Sequence, residues 1–494
     1  MKHHYSLLLV FGVSILLSLL YCPPFDQLLD DREFFQYCGM ALLKGQVPYR
    51  DFFDHKPPLI YFINALGLVL GMGRWGLWLI STGCALVVTF LLFRLARQYR
   101  LHYPWLLPLL FNLMLRDFLI SERINLTREY STFFVMLFFW ALMEKRGRRY
   151  FLAGLFTALT FFTQQDQVLL LTPFILYALM TRDNRSVPYR LVQLAAGFQC
   201  IALPLLLYFA FNHSLSYFWS DAYAFNFSVY IREYKSLGDH FRTIKRVLDD
   251  GNYEFPFMIA LVLGITAVFL PHKKKELLVA ALAALFLSMS SELMGGRLDS
   301  TRSLVDFRGY FLPLSAAVCI LLFVVFAFTM EKTLADRTTQ LPFALLLCCS
   351  LCYTALQHAA NLQRRSADPK VNRPELAYLQ TQQLKDYQLY VMLNGEYTYC
   401  YNALGILAPS PWVYQHFWVW YKQWDPDHRI LESIARDLLQ HHTTYVILDP
   451  GRLPLMANQA DRDWWMSFMQ THYEPVGLPG SPTNVLWRLK DRDK

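Results

Sequence analysis

"DDREFFQYCGMALLKGQVPYRDFFDHKPPLIYF", residues 30–62, sets five acids, four lysines or arginines and a His-Lys-Pro-Pro turn directly behind an apolar run. That run, residues 5–21, approaches the roughly 20 apolar residues a helix needs to cross a bilayer. Lys2 precedes it, as in a cleaved leader, but Cys22-Pro23-Pro24 stands where a small-x-small cleavage site would be, so it reads as an uncleaved first span. Residues 58–72, at the far end of the quoted stretch, are apolar too, but the run is short and starts at Pro57-Pro58. Whether they cross the membrane or lie in its outer interface decides the topology of everything that follows.

The chain around this stretch is greasy. Its 494 residues are 55% hydrophobic and 16% aromatic, with only 17% charged, and apolar runs recur along it. Further spans are expected at 75–93, 102–120, 127–143, 150–164, 167–181, 191–211, 256–270, 276–291, 311–330 and 341–358. With 58–72 left in the interface, these and 5–21 make about eleven spans of a polytopic α-helical membrane protein. Charge placement supports that register. With a cytoplasmic N-terminus, the inside loops read "RLARQYR" (94–100), "EKRGRR" (144–149), "TRDNRSVPYR" (181–190), "HKKK" (272–275) and "EKTLADR" (331–337), a lysine and arginine excess on one side. The net charge of +8 is then largely a topology signal and no argument for nucleic acid.

This register leaves the external loop 22–57, the loops 212–255 and 292–310 and everything after 359 outside, on the periplasmic or equivalent face of the cytoplasmic membrane. Two regions follow: a membrane region 1–359, with its interfacial helix at 58–72, and an external region 360–494. In the latter, "YQLYVML" (387–393), "TTYVILD" (443–449) and "NVLWRLK" (484–490) read as strands. "RILESIARDLLQHH" (429–442) reads as an amphipathic helix with Ile430, Ile434, Leu438 and Leu439 on one side. A small α/β domain is expected there. It carries no nucleophile elbow or phosphate loop.

Cys84, Cys200, Cys319, Cys348, Cys349 and Cys352 fall in spans, where a cysteine is a small hydrophobe. Cys22 and Cys38 lie outside the membrane, where they are able to pair. No cysteine–histidine set has metal spacing, so no metal and no other cofactor is expected.

The acids of the first external loop are pinned at both ends by apolar segments, which holds them at the bilayer surface. Lys56-Pro57-Pro58 fixes a cation at the start of a helix, because proline suits a helix's first turn, and such a cation beside helix N-terminal amides suits a lipid phosphate. In this pattern an acid follows span one, an aromatic stands four residues on, and "PYRDFFDHKPPL" and then "NLTRE" follow. It resembles bacterial polyprenyl-phosphate-sugar-dependent glycosyltransferases of GT-C fold, the protein O-mannosyltransferase-like and lipid A aminoarabinose transferase families. The resemblance covers about residues 5–330 and is densest at 30–62.

The resemblance implies a catalytic carboxylate in the first loop. Asp31, with Phe35, Tyr37 and Gly39 at the family's spacings, fits better than Asp30, which stays the alternative. It implies Lys56 at the carrier phosphate and Glu129 as a second external acid. Asp54, His55, Tyr49 and Tyr310 are candidate substrate contacts. The family often has a lysine where this chain has Gln164-Gln165, and His-Tyr where it has "RGYF" with Tyr310 alone, so Arg302 or Arg308 is expected to add positive charge at the phosphate.

The chemistry asks for the same parts. Transfer from a polyprenyl phosphate passes through an oxocarbenium-like state. One base takes the acceptor's hydroxyl proton, and the phosphate leaves as an anion that needs only positive charge beside it. In-line attack with one base predicts inversion at the anomeric carbon. Expected partners are the polyprenyl-phosphate sugar, membrane lipid and a glycan, lipid or protein acceptor. The competing readings are a lipid or solute transporter or flippase, which would carry ionisable groups along a mid-bilayer route, and a polymerase or ligase using a diphosphate-linked donor. The aromatic loop 212–255 reads equally as a lid over the site or as an interfacial belt.

Overall fold

The computed structural model describes residues 2–24, 31–71, 73–122, 124–144, 147–181, 183–230, 254–295, 312–329, 373–393, 397–413, 429–448, 450–456, 459–479 and 485–491. The chain divides into two compact units. The first comprises Met1–Asp26, Leu77–Leu207 and Glu233–Arg365; the second comprises Gln27–Gly76, Tyr208–Arg232 and Ser366–Lys494.

The first unit is built of helices throughout its described residues. A helix stands at ten of the expected spans, namely Lys2–Leu19, Arg74–Gln98, Leu106–Glu122, Thr127–Met143, Arg149–Thr163, Val168–Met180, Val187–Phe211, Glu254–Phe269, Lys275–Gly295 and Leu312–Phe328. The eleventh position, 341–358, lies outside the described residues. Leu312–Phe328 is apolar on every side and almost wholly buried, packed between Leu106–Glu122, Thr127–Met143, Glu254–Phe269 and Lys275–Gly295. The peripheral helices are apolar outward as well: Val192 is 63% exposed, Phe211 78% and Phe269 82%. A helix hydrophobic all round whose outer face is not covered by protein is built for lipid, since in water that face would be polar. Arg74–Gln98 and Val187–Phe211, 25 residues each, are long and apolar enough to cross a bilayer. Two glycines allow close packing in this unit. A Cβ on Gly154 would stand 2.0 Å from the Leu194 carbonyl oxygen, and one on Gly197 would stand 1.9 Å from that of Phe151, so Arg149–Thr163 and Val187–Phe211 touch backbone to backbone.

The second unit joins the first-loop residues to the C-terminal ones. Its helices Asp31–Leu43 and Leu59–Val69 pack on each other. The latter is 11 residues long, about 17 Å at 1.5 Å per residue, and too short to cross a bilayer. A four-stranded sheet runs in the order β1-β2-β4-β3, with β1 Leu389–Met392, β2 Tyr445–Leu448, β3 Tyr473–Pro475 and β4 Leu486–Leu489. β1 and β2 are parallel, and the other two pairings are antiparallel. β1, β2 and β4 lie inside the three sequence-predicted strands. The helix Arg429–Gln440 buries Ile430, Ile434 and Leu438 on Val446, Trp465 and Trp487. Leu439 is not on that face and is 36% exposed; at about 100° per residue it lies opposite Ile430.

Among the described residues no disulfide joins Cys22 and Cys38, which settles the pairing the sequence left open. Both side chains are buried.

Candidate functional site

Asp31 and Glu33 occupy the first turn of Asp31–Leu43, where acids are favoured by the positive end of the helix dipole. Asp31 is half-buried; Glu33 is 1% exposed, with its carboxylate paired to Arg74. Gly39, one of the positions that carried the resemblance, has a structural reason. A Cβ there would lie 2.7 Å from the Ala65 nitrogen and 2.8 Å from Asn64, so only glycine lets this helix close onto Leu59–Val69. The acid's helix is thereby seated against the helix that Lys56-Pro57-Pro58 opens.

The loop between them is built from its own side chains. Tyr49 takes φ +70°, a left-handed conformation that costs a bulky residue energy, and its amide bonds the Phe52 carbonyl at 2.9 Å. Asp51 accepts the Val47 amide at 2.7 Å and pairs with Arg50. Asp54 accepts the His55 amide at 2.7 Å and the Tyr61 hydroxyl at 2.8 Å. The Lys56 carbonyl accepts the Tyr49 hydroxyl at 2.7 Å and that of Tyr61 at 3.1 Å. From the segment that starts at Leu215, the Asn226 carboxamide donates to the His55 carbonyl at 2.7 Å. The backbone of His55 and of Lys56 is thus fixed by side-chain bonds. Its half-exposed ammonium has no hydrogen-bond or ion-pair partner among the described residues.

Burial and the neighbouring Lys56 charge hold the His55 imidazole below its ordinary range, against the upward pull of Asp54 and Asp31. His55 is therefore neutral at pH 7. Asp31 and the Lys56 loop belong to one compact unit, at the starts of helices that pack on each other. Asp221, half-buried in the π-helical turn Ser220–Ala224, is pushed up to about 7 by burial, with Asp54 adding to the rise and the Ser220 hydroxyl opposing it.

The first unit holds Glu129, fully buried. Its carboxylate accepts the Ser81 hydroxyl at 2.5 Å and the Asn125 amide at 2.8 Å, and stands 3.8 Å from the Arg116 guanidinium. Arg116 is 1% exposed, lies 5.4 Å over the Tyr21 ring and bonds the Ser18 hydroxyl at 2.8 Å.

Of the sequence-predicted site residues, Asp31, Tyr49, Asp54, His55 and Lys56 come together in the second unit. Tyr49, Asp54 and His55 are 3 to 4% exposed. Asp30, Arg302, Arg308 and Tyr310 lie outside the described residues. Sequence reasoning missed Asn226, Tyr61, Arg74, Asp221 and Asn402. Tyr61 lay within the quoted stretch, while Asn226 and Asn402 carry no local signal, since each acts on a backbone or carboxylate far away in sequence.

The class this defines is a membrane protein of GT-C fold. The chain superposes on the crystal structure of ArnT from Cupriavidus metallidurans bound to undecaprenyl phosphate with a TM-score of 0.61 at 12% identity, over 98% of this chain and 97% of that one. On the apo structure of the same protein the score is 0.59 at 12% identity, over 99% and 98%. Residues 55–209 match the family model of dolichyl-phosphate-mannose-protein mannosyltransferase, a match that begins at His55-Lys56. No curated protein matches the chain. The resemblance carried by residues 30–62 is thus met by a family model of that kind and by the fold.

Proposed function

We propose that the chain is a glycosyltransferase that moves a sugar from a polyprenyl-phosphate donor to an acceptor outside the cytoplasmic membrane, with inversion and without a metal. The observation that carries this is Lys56: an ammonium with no partner among the described residues, on a loop braced from three sides, in the segment where the family match begins, beside the helix that opens with Asp31. The likeness to ArnT, a protein crystallised with undecaprenyl phosphate, supports a polyprenyl phosphate as the donor's carrier.

In this reading the acceptor's oxygen attacks C1 of the sugar and its proton passes to Asp31. The bond from C1 to the phosphate oxygen breaks, and its electron pair leaves on the phosphate. Lys56 stabilises that charge, the kind of interaction that commonly contributes most to such catalysis. Neutral His55, with Asp54 and Tyr49, forms the wall behind Lys56 on the substrate side. By the resemblance, Tyr310 would contact the substrate and Arg302 and Arg308 would serve the phosphate; all three lie outside the described residues. Glu129 is the second acid by resemblance, and its buried contacts give it a framework part as well. About eleven spans, a cytoplasmic N-terminus and an external C-terminal α/β region complete the topology. The test is donor choice. Membranes bearing the protein are incubated with labelled polyprenyl monophosphate and diphosphate sugars. Consumption of the monophosphate alone is expected; consumption of the diphosphate would replace this reading with a polymerase or ligase, and consumption of neither would remove the enzyme.

A further inference from the structure

The C-terminal residues are more than a cover. In the second unit, one segment of them, 399–413, bonds to both parts of the candidate site. At its first end the Asn402 carboxamide donates twice to one residue: to the Glu33 carbonyl at 2.9 Å and to the Glu33 carboxylate at 2.6 Å. Glu33 is in the same helical turn as Asp31, buried, with Arg74 on its other carboxylate oxygen. The Ala408 amide bonds the Tyr37 hydroxyl at 3.1 Å, and Tyr401 lies 5.2 Å from the Tyr37 ring, one turn further along that helix. At its other end the Pro411 carbonyl accepts the Phe53 amide at 2.9 Å, and Trp412 packs on the Phe53 ring at 5.0 Å. Phe53 directly precedes Asp54-His55-Lys56.

The segment is itself anchored on the sheet core. The Tyr401 hydroxyl accepts the Val391 amide at 2.8 Å, the Tyr390 hydroxyl donates to the Trp412 carbonyl at 2.9 Å, and the Trp412 indole donates to Ser433 at 3.0 Å. Close-packed elements transmit position instead of absorbing it. We propose that segment 399–413 sets the spacing between Asp31 and Lys56, with Asn402 as the positioning residue for the acid's helix and Trp412 as the one for the loop that presents the cation. This rests on the glycosyltransferase reading for its catalytic consequence, though not for its structural one.

The experiment uses the full chain in lipid nanodiscs with a polyprenyl-monophosphate sugar, comparing Asn402→Ala, Trp412→Ala and Arg488→Ala with the parent. Arg488 pairs with Glu474 between β4 and β3 at 2.5 Å and bonds no residue of 399–413 among the described ones, so it serves as the control. A displacement of about 1 Å costs up to a hundredfold in rate. Asn402→Ala should lower kcat at least tenfold with donor KM within twofold. Trp412→Ala should raise donor KM at least fivefold, and Arg488→Ala should stay within twofold of the parent in both. Equal losses in all three would mean general destabilisation and overturn the proposal. Hydrogen exchange supplies the arm independent of activity: amides of 31–37 in Asn402→Ala, and of 53–61 in Trp412→Ala, should exchange at least tenfold faster while β1 and β2 keep their protection. Unchanged exchange at those sites sinks the proposal whatever the activity. A parent inactive on the monophosphate donor sinks the functional reading and leaves the exchange result to decide this one.

Discussion

Glu129→Gln is the perturbation whose size the structure fixes best. The substitution removes one charge and keeps the shape. The carboxamide still offers an oxygen to the Ser81 hydroxyl or the Asn125 amide, which the carboxylate holds at 2.5 Å and 2.8 Å. What it deletes is the attraction to Arg116 at 3.8 Å. With an effective dielectric of about 20, that attraction is about 4 kcal/mol. The guanidinium is 1% exposed and would be left without its counter-charge, a situation that generally costs about 3–5 kcal/mol. The two routes agree, so Glu129→Gln and Arg116→Met should each destabilise by about 4 kcal/mol. The double variant should cost less than the sum by at least about 2 kcal/mol, since neither then strands a charge. Equilibrium unfolding in mixed micelles measures all three. A loss under about 1 kcal/mol for Glu129→Gln, or strict additivity, would refute the reasoning. The same set separates the two parts given to Glu129. A double variant that folds and still transfers sugar confines Glu129 to the framework, whereas a folded double variant that is dead, beside an active Arg116→Met, places the carboxylate in the chemistry.

Three further outcomes follow from the same geometry. Asp31→Asn should abolish transfer with unfolding unchanged, and Lys56→Ala should raise donor KM at least tenfold with acceptor KM unaltered; donor titration of purified protein checks both, and an active Asp31→Asn would move the base to Asp30. Gly154→Ala should overpack Arg149–Thr163 against Val187–Phe211, because its new methyl meets the Leu194 carbonyl at 2.0 Å; a loss of about 1–3 kcal/mol in the same unfolding assay is expected. Asp221 keeps its proton to about pH 7 when folded and loses it near 4 when unfolded. Folding therefore takes up a proton between those values, and stability falls as pH rises through that window. Asp221→Asn should melt higher than the parent at pH 8 and level with it near pH 4, and a gap that widens toward acid would contradict the burial argument.

How far the sequence reached depends on the range over which each signal acts. Helix positions were legible because an apolar run declares itself over 15 to 20 consecutive residues, and Pro57-Pro58 marked the start of the short helix Leu59–Val69 for an equally local reason. β1 and β2 were legible as short runs of β-branched and aromatic residues. Asp31, Tyr49, Asp54, His55 and Lys56 fall within 26 residues of one another, so their grouping was visible as a motif. What bonds them was not. Tyr49 and Asp54 read as candidate substrate contacts; they are also buried, and their bonds to Lys56 and Tyr61 shape the Lys56 turn. Arg116 posed the same problem in the first unit. Neighbours on a helix diverge by about 100°, and nothing local to Arg116 in the sequence names a partner for it. Its counter-charge is Glu129, thirteen residues on and on another helix.

Asn402 is the extreme case, reaching Glu33 across 369 residues of chain. A carboxamide in a polar region has no periodicity and no spacing to announce it, and only the fold brings its donors to a buried carboxylate. The motif in this chain therefore specifies which groups act, while the distances between those groups are held by residues that carry no motif at all. A substitution scan confined to residues 30–62 would find the chemistry and miss what holds it in register.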